Sequence, residues 1–450
     1  MSEAGLKAAV EKMREAGVAD EAIDTFAHYY KELEGGASGM IPESEIEPVS
    51  ELPKAADLPD PPDGGSAAMD KAVMIRLNGG LGTSMGMTQA KSLLEVKDGL
   101  TFLDIIVRQV LELRRTHDAR LPLVLMDSFA TRDDTLRALE RYPDLPVDEL
   151  PLDFLQNREP KLRSDDDLMP VEWPDDPDLE WAPPGHGDLY VALKVSGMLE
   201  ALLERGYEIA FVSNSDNLGA DLDPTLAAWF LDSGAPFLME VVPRSSADRK
   251  GGHLARRRED DRLILRESAQ TPSEDTRASQ NVQLHRFSNT NNLWVNLVAL
   301  DAVLRERSGV LGLPIIVNRK NVDPSDSSTP EVFQLETAMG AAISVFDGAQ
   351  AIEVSRVRFA PVKTTNDLLV VRSDFYVLTE DAHMVPADGR QPGSIFVDLD
   401  PDHYKLLPDF DARFPAGPPS LVHAERFVVR GDVTFGADVR IAGESEVEAD

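Results

Sequence analysis

Residues 73 to 91 hold the densest set of groups in this chain able to handle an anion. The apolar run Val73 to Leu77 feeds Asn78, Gly79, Gly80, Gly82 and Gly86, and the segment closes on Lys91. Glycines allow positive φ and let backbone N–H groups approach a ligand where a Cβ would intrude. The lysine adds a full positive charge. This pattern supports phosphate or nucleotide binding; a strand-to-helix turn whose lysine is merely solvated is the competing account. Two better-known loops are excluded. Ala90 stands where a Walker loop needs glycine before its lysine, and Gly80, Gly82 and Gly86 are spaced one residue too widely for the dinucleotide fingerprint.

Four further stretches carry usable chemistry. In Pro184-Gly185-His186-Gly187-Asp188 two glycines flank a histidine, which suits either close approach of a ligand or a helix start capped by Asp188. Phe211 to Ala220 places Asn214, Ser215 and Asp216 after an apolar strand. A divalent cation over phosphates would find its oxygen ligand there, since magnesium takes only one or two carboxylates; turn residues are the plainer account. Phe287 to Trp294 gathers Asn289, Asn291 and Asn292, amides that offer the donors and acceptors sugar hydroxyls need, or simply form a polar turn before a short strand. Lys363 sits between two β-like runs, where a lone lysine is ordinarily solvated.

The elements that must position these groups read as an α/β pattern. Apolar runs at 73–77, 121–126, 207–212, 235–242 and 314–317 read as strands. They alternate with helical stretches that begin at Thr101, with Asp104 as a capping partner, and cover 133–141 and 189–204. Such alternation builds a mostly parallel sheet with helices on both faces, and ligands collect at the carboxyl ends of its strands. Gln334 to Ala342 is expected to be helical, and Arg356 to Val371 strand-like. Before this core, residues 4–34 show two amphipathic helices interrupted at Gly17, and Gly35 to Gly65 reads as an extended connector that wraps the surface or is partly mobile. After it, Phe427 to Gly443 alternates apolar residues around glycine turns, as one or two coils of a parallel β-helix would. The expected division is 1–70, 71–385 and 386–450.

Composition narrows the classes. The 450 residues carry 79 acids against 45 bases, a formal charge of −34. That field repels nucleic acid and anionic membrane, so an anionic substrate must be met by a local cluster of lysines, backbone N–H groups and metal. The sequence has no cysteine, which removes disulfides, thiolate nucleophiles and zinc–thiolate sites. No run approaches the ~20 apolar residues of a membrane span, and the opening residues lack the pattern of a signal peptide, so a cytoplasmic protein is expected.

The stretch Leu77 to Gly86 followed by Lys91-Ser92 resembles the nucleotide loop of the eukaryotic-type UTP–glucose-1-phosphate uridylyltransferases. Five other motifs agree in the same order, Pro-Gly-His-Gly-Asp, Asn214-Ser-Asp216, the Asn289 to Asn292 amides, Gln334 to Ala342 and Pro361-Val-Lys363, and Gln156 in Phe154-Leu-Gln156 corresponds to the family's uridine-binding glutamine. Lys250-Gly-Gly after Ala247-Asp248 also matches, without a role. The resemblance implies a Rossmann-like nucleotidyltransferase sheet of the GT-A-like kind with a short left-handed β-helix-like tail, and transfer of uridylyl from UTP to glucose 1-phosphate with release of pyrophosphate and UDP-glucose. It implies that Leu77, Asn78, Gly79, Gly80, Lys91, Gln156, Gly185, Asp216 and Lys363 meet the nucleotide, and that His186, Asn214, Ser215 and Asn291 meet the sugar phosphate. Asp216 would hold Mg2+, and Lys91 and Lys363 would be catalytic. Ser215 replaces a larger apolar residue, with little effect expected, and Met87 to Ala90 departs from the usual approach to the lysine. Rival readings are a pyrophosphorylase acting on UDP-sugars at large or on N-acetylglucosamine 1-phosphate, whose loop carries arginine where Ser84 stands; a silent nucleotide-sugar binder; and a dehydrogenase. A homo-oligomer is one use of the tail.

Overall fold

The computed structural model describes residues 3–245 and 248–449. Its chain divides into two compact units, each assembled from three segments. The first holds Met1–Lys54, Phe154–Phe211 and Phe230–Glu353; the second holds Ala55–Asp153, Val212–Trp229 and Val354–Asp450.

The second unit carries the glycine-rich loop. Strand Ala72–Leu77 is buried from Ala72 to Arg76 and pairs in parallel with Leu123–Asp127, Met74 opposite Leu123 and Leu77 opposite Met126. Helix Phe102–His117 starts on the expected capping box: Thr101 accepts from the backbone of Asp104, and the Asp104 carboxylate accepts from the backbone of Thr101. Phe102, Leu103, Ile106, Val110 and Leu113 fill its buried face at helical spacing. The expected strands in 356–371 are not there. The segment forms a short turn at Arg356–Arg358 and a helix, Thr365–Arg372. Leu368 to Val371 suits either period, and the capping box of Thr364 with Asp367 decides for helix. Toward the carboxyl end, Phe396–Leu399, Ser420–Arg430 and Arg440–Glu448 pair in parallel in that order, the succession expected of stacked coils. Phe410, Phe414, Phe427 and Phe435 close their apolar side.

In the first unit, helices Glu3–Glu15 and Asp20–Glu34 lay Ala9, Met13, Ile23, Phe26 and Tyr30 on Leu162, Ile315 and Leu335. Ile315–Asn321 joins Glu331–Thr337 and Leu162–Arg163 in a separate antiparallel sheet of three strands, not the parallel layer expected from its apolar start. The Gln334 to Ala342 stretch is likewise not a helix: it ends that strand and turns into a short 3-10 segment, Met339–Ser344. Phe237–Pro243 pairs antiparallel with Phe287–Asn296 and parallel with Gln350–Glu353, so the α/β class holds with a sheet of mixed sense. The connector is ordered here: Ile46–Pro48 adds to His253–Arg257, and Ile46 is buried against Ala255 and Ile264. The expected 189–204 helix is two, Leu189–Val195 and Met198–Glu204, parted at Gly197, whose φ of 76° a continuous helix cannot hold. Among the described residues no helix is long and apolar enough to cross a membrane.

Candidate active site

In the second unit, positive φ falls on Gly82 at 69° and Gly86 at 75°, not on Gly79 or Gly80. A Cβ on Gly82 would stand 2.9 Å from the sulfur of Met87. Gly80 has nothing within 4 Å of that position, so its peptide faces open space. The loop closes by a bond of 2.9 Å from the Lys91 N–H to the Gly80 carbonyl, and Lys91 Nζ then lies 2.6 Å from Asp216 Oδ2. The other oxygen, Asp216 Oδ1, is buried with no hydrogen-bond partner among the described residues. The Asp216 carbonyl accepts from the Val362 N–H at 3.1 Å, and the next residue is Lys363, whose side chain is exposed. One aspartate therefore pairs with the first lysine through its side chain and holds the backbone beside the second. The Asn78 amide points inward, donating to Asp127 Oδ1 at 2.7 Å and Thr135 Oγ1 at 2.9 Å. Burial pushes the Asp127 carboxyl up to about 6, the bond from Asn78 opposing.

Asn214 and Ser215 lie on the same turn, Ser215 buried and bonded by its N–H to the Leu77 carbonyl. The turn is organised by a residue that motif reasoning passed over. Arg76 is fully buried, donates to Ser213 Oγ at 2.5 Å and to the carbonyl of Ala220, and lies 3.5 Å from those of Asn214 and Asn217. Burial lowers its pKa to about 10, with Asp221 opposing, so it stays charged at neutral pH. A lone arginine inside Val-Met-Ile-Arg-Leu was the available signal.

In the first unit the glycines around His186 serve packing. At Gly185, with φ of 77°, a Cβ would stand 2.6 Å from the Thr337 carbonyl oxygen, and at Gly187 it would stand 2.3 Å from Thr337 Oγ1. The loop is thus pressed onto the end of strand Glu331–Thr337. His186 Nδ1 accepts the Met339 N–H at 3.0 Å, which puts the ring proton on Nε2. Burial lowers the His186 pKa, with Glu336 opposing, so the ring is neutral at neutral pH. Asp188 does not cap the helix that follows it. Its carboxylate accepts from the Asn157 N–H at 2.5 Å and from Asn157 Nδ2 at 2.8 Å, which ties the half-buried Gln156 to the same loop. A cavity lined by Phe26, Tyr29, Glu159, Gly187, Asp188 and Thr337 lies behind this loop and does not include His186.

The amides lie within strand Phe287–Asn296, not in a turn before it. Asn291 takes φ of 59° where the register against Met239 and Val241 shifts, and its backbone and side chain both bond Asn289. Asn292 and Trp294 donate to the buried Glu240 at 3.0 and 2.9 Å. A Cβ on Gly340 would touch Asn289 Nδ2 at 3.1 Å, so the amide run borders the segment that bonds His186.

The sequence matches the family described as UTP--glucose-1-phosphate uridylyltransferase over residues 23–442. The chain belongs to that family. The uridylyltransferase from Solanum tuberosum is 39% identical over 412 residues, covering 91% of this chain and 82% of its own, and that from Saccharomyces cerevisiae is 41% identical over 376 residues, covering 83% and 73%. Among solved structures, a UDP-glucose phosphorylase from Trypanosoma brucei superposes with TM-score 0.92 at 44% identity, covering 99% of this chain and 95% of its own. A UDP-glucose pyrophosphorylase mutant from Leishmania major, solved in complex with UDP-glucose, gives 0.91 at 44%, covering 100% and 95%.

Within this uridylyltransferase family member, then, the expected site residues form two groups. Leu77, Asn78, Gly79, Gly80, Lys91, Asn214, Ser215, Asp216 and Lys363 lie in the second unit; Gln156, Gly185, His186 and Asn291 lie in the first. Lys250, from the motif left without a role, is exposed in a turn, and Ala247 of that motif lies outside the described residues.

Proposed function

We propose that the chain moves the uridylyl group of UTP onto glucose 1-phosphate, releasing pyrophosphate and UDP-glucose. The observation that supports this best is the meeting of both lysine-bearing segments at Asp216, one by its carboxylate and one by its carbonyl. A phosphate oxygen of glucose 1-phosphate attacks the α-phosphorus of UTP, the bond from that phosphorus to the bridging β-oxygen breaks opposite, and pyrophosphate leaves. The nucleophile is already an anion near neutral pH, so no proton has to move. Catalysis is positioning plus neutralisation of charge.

Under this reading the Gly79 and Gly80 backbone, Lys91 and Lys363 hold the triphosphate. Leu77, Asn78, Gln156 and Gly185 frame the nucleoside. Neutral His186 donates from Nε2 to the sugar phosphate, with Asn214, Ser215 and Asn291 as further contacts. Asp216 fits magnesium in a specific way: a buried oxygen without a partner is a donor looking for a cation, and one carboxylate is enough beside phosphate oxygens. Bound there, the ion would neutralise phosphate charge. The cytoplasmic location expected from the sequence stays part of this proposal.

The test is pyrophosphate release from a panel of nucleotides and sugar phosphates. UTP with glucose 1-phosphate should lead. Comparable rates with other sugar phosphates would mark a broader pyrophosphorylase, and binding of UDP-glucose without release from any pair would mark a silent binder.

A further inference from the structure

The two phosphate-directed arms of the second unit are tied together by a residue with no assigned role. Asn217 is 2% exposed and uses both ends of its amide on the segment that leads to Lys363. Its Oδ1 accepts the Ala360 N–H at 2.9 Å, and its Nδ2 donates to the Arg358 carbonyl at 3.1 Å. One residue beyond them its backbone forms a lone antiparallel bridge with Pro361. Proline has no N–H to give, so a backbone ladder cannot continue there. The side chain supplies the missing rungs, and the Asp216 carbonyl takes the next N–H, that of Val362.

Neighbouring contacts fix each partner. Arg76 grips carbonyls along 214–220, which anchors the Asp216 turn to its strand. Gly219 comes so close to the other segment that a Cβ would stand 2.3 Å from the Val357 carbonyl oxygen, and the Arg358 guanidinium donates to the Asp221 carbonyl at 2.7 Å. Only an asparagine-length amide offers a donor and an acceptor at this reach. Aspartate keeps the acceptor for Ala360 but sets a carboxylate oxygen against the Arg358 carbonyl.

We propose that Asn217 is a positioning residue for uridylyl transfer, holding the Lys363 segment in register with the Asp216 turn so that Lys363 and Lys91 act on one triphosphate. The inference rests on the role given to Lys363 above. The Asn217 amide is engaged on the protein itself, which makes its role one of positioning.

A mutant cycle tests it. Lys363→Ala, Asn217→Asp, Asn217→Ala and the doubles with Lys363→Ala are assayed for kcat and KM with UTP and glucose 1-phosphate, alongside thermal melts. Misplacement by about 1 Å costs about a hundredfold in rate. Both Asn217 variants should therefore lose roughly 10- to 100-fold in kcat, with KM for each substrate within about threefold. In the Lys363→Ala background the Asn217 changes should cost less than about twofold more. Should Asn217→Ala fail to fold, the isosteric Asn217→Asp carries the test. Wild-type kcat in the Asn217 variants beside a slow Lys363→Ala would overturn the positioning role alone, as would full additivity in the doubles. Wild-type turnover in Lys363→Ala would overturn the role of that lysine and this inference with it.

Discussion

The two groups of expected site residues differ in charge. The charged ones lie in the second unit, where Lys91 pairs with Asp216 and the buried Arg76 donates to a set of carbonyls. Those of the first unit are neutral. His186 is held uncharged by burial and by the Met339 N–H, and Asn291 is fixed by Asn289 within a strand. Under the proposed function, the contrast would put the charge that quiets the triphosphate in the second unit, and neutral donors and acceptors for the nucleoside and sugar phosphate in the first. A mutation on the charged side should strike rate; one on the neutral side should strike fit.

The sharpest break of this contrast is Lys363→Ala. It should lower kcat by about 100- to 1000-fold while the melting temperature stays unchanged, because the side chain is exposed. Next comes His186→Gln, expected to cost about 10- to 100-fold in kcat/KM. Because burial depresses the His186 pKa, the neutral ring persists above the ordinary imidazole value and is lost only as pH falls below it. The activity profile from pH 6.5 to 8 should therefore keep its shape in this variant and lose only height. Asp216→Asn, back on the charged side, should raise the magnesium needed for half-maximal rate; an unchanged requirement would place the ion on another ligand.

The glycines sharpen the comparison through stability. Gly187→Ala must push against Thr337 Oγ1 and should destabilise by about 1–3 kcal/mol in a denaturant titration, whereas Gly80→Ala, in open space, should stay within about 0.5 kcal/mol and affect substrate binding instead. A further effect on stability is set by pH. Folding raises the Asp127 pKa from 3.8 to about 6, so its contribution is fully present below 3.8 and lost as pH rises through 6. Asp127→Asn should accordingly gain about 1–2 kcal/mol over the wild type at pH 8 and less at pH 4.

How far the sequence could be read follows the same physical lines. Strand Ala72–Leu77 and the Thr101 cap were legible because local pattern and burial agree there. Thr365–Arg372 was misread because four apolar residues in a row carry no period of their own, and the cap was the only arbiter. The glycines of the His186 loop were seen, but their reason was not: Thr337 lies 150 residues further along the chain, and no local pattern announces it. Arg76 and Asn217 stayed hidden because their partners are mostly backbone carbonyls and N–H groups, which carry no sequence identity. The motifs, by contrast, already contained every residue that the proposed function uses.

The bond between Lys91 and Asp216 has a consequence for how a triphosphate would enter. A resting ammonium already matched to a carboxylate cannot greet an anion freely; it must change partners. Under the proposed function, loading the nucleotide would be an internal ion exchange, in which phosphate would take the lysine and the released aspartate oxygen would turn toward the cation that travels with the substrate. In a protein of net charge −34, the Lys91–Asp216 pair would keep that corner electrically balanced until such an exchange begins.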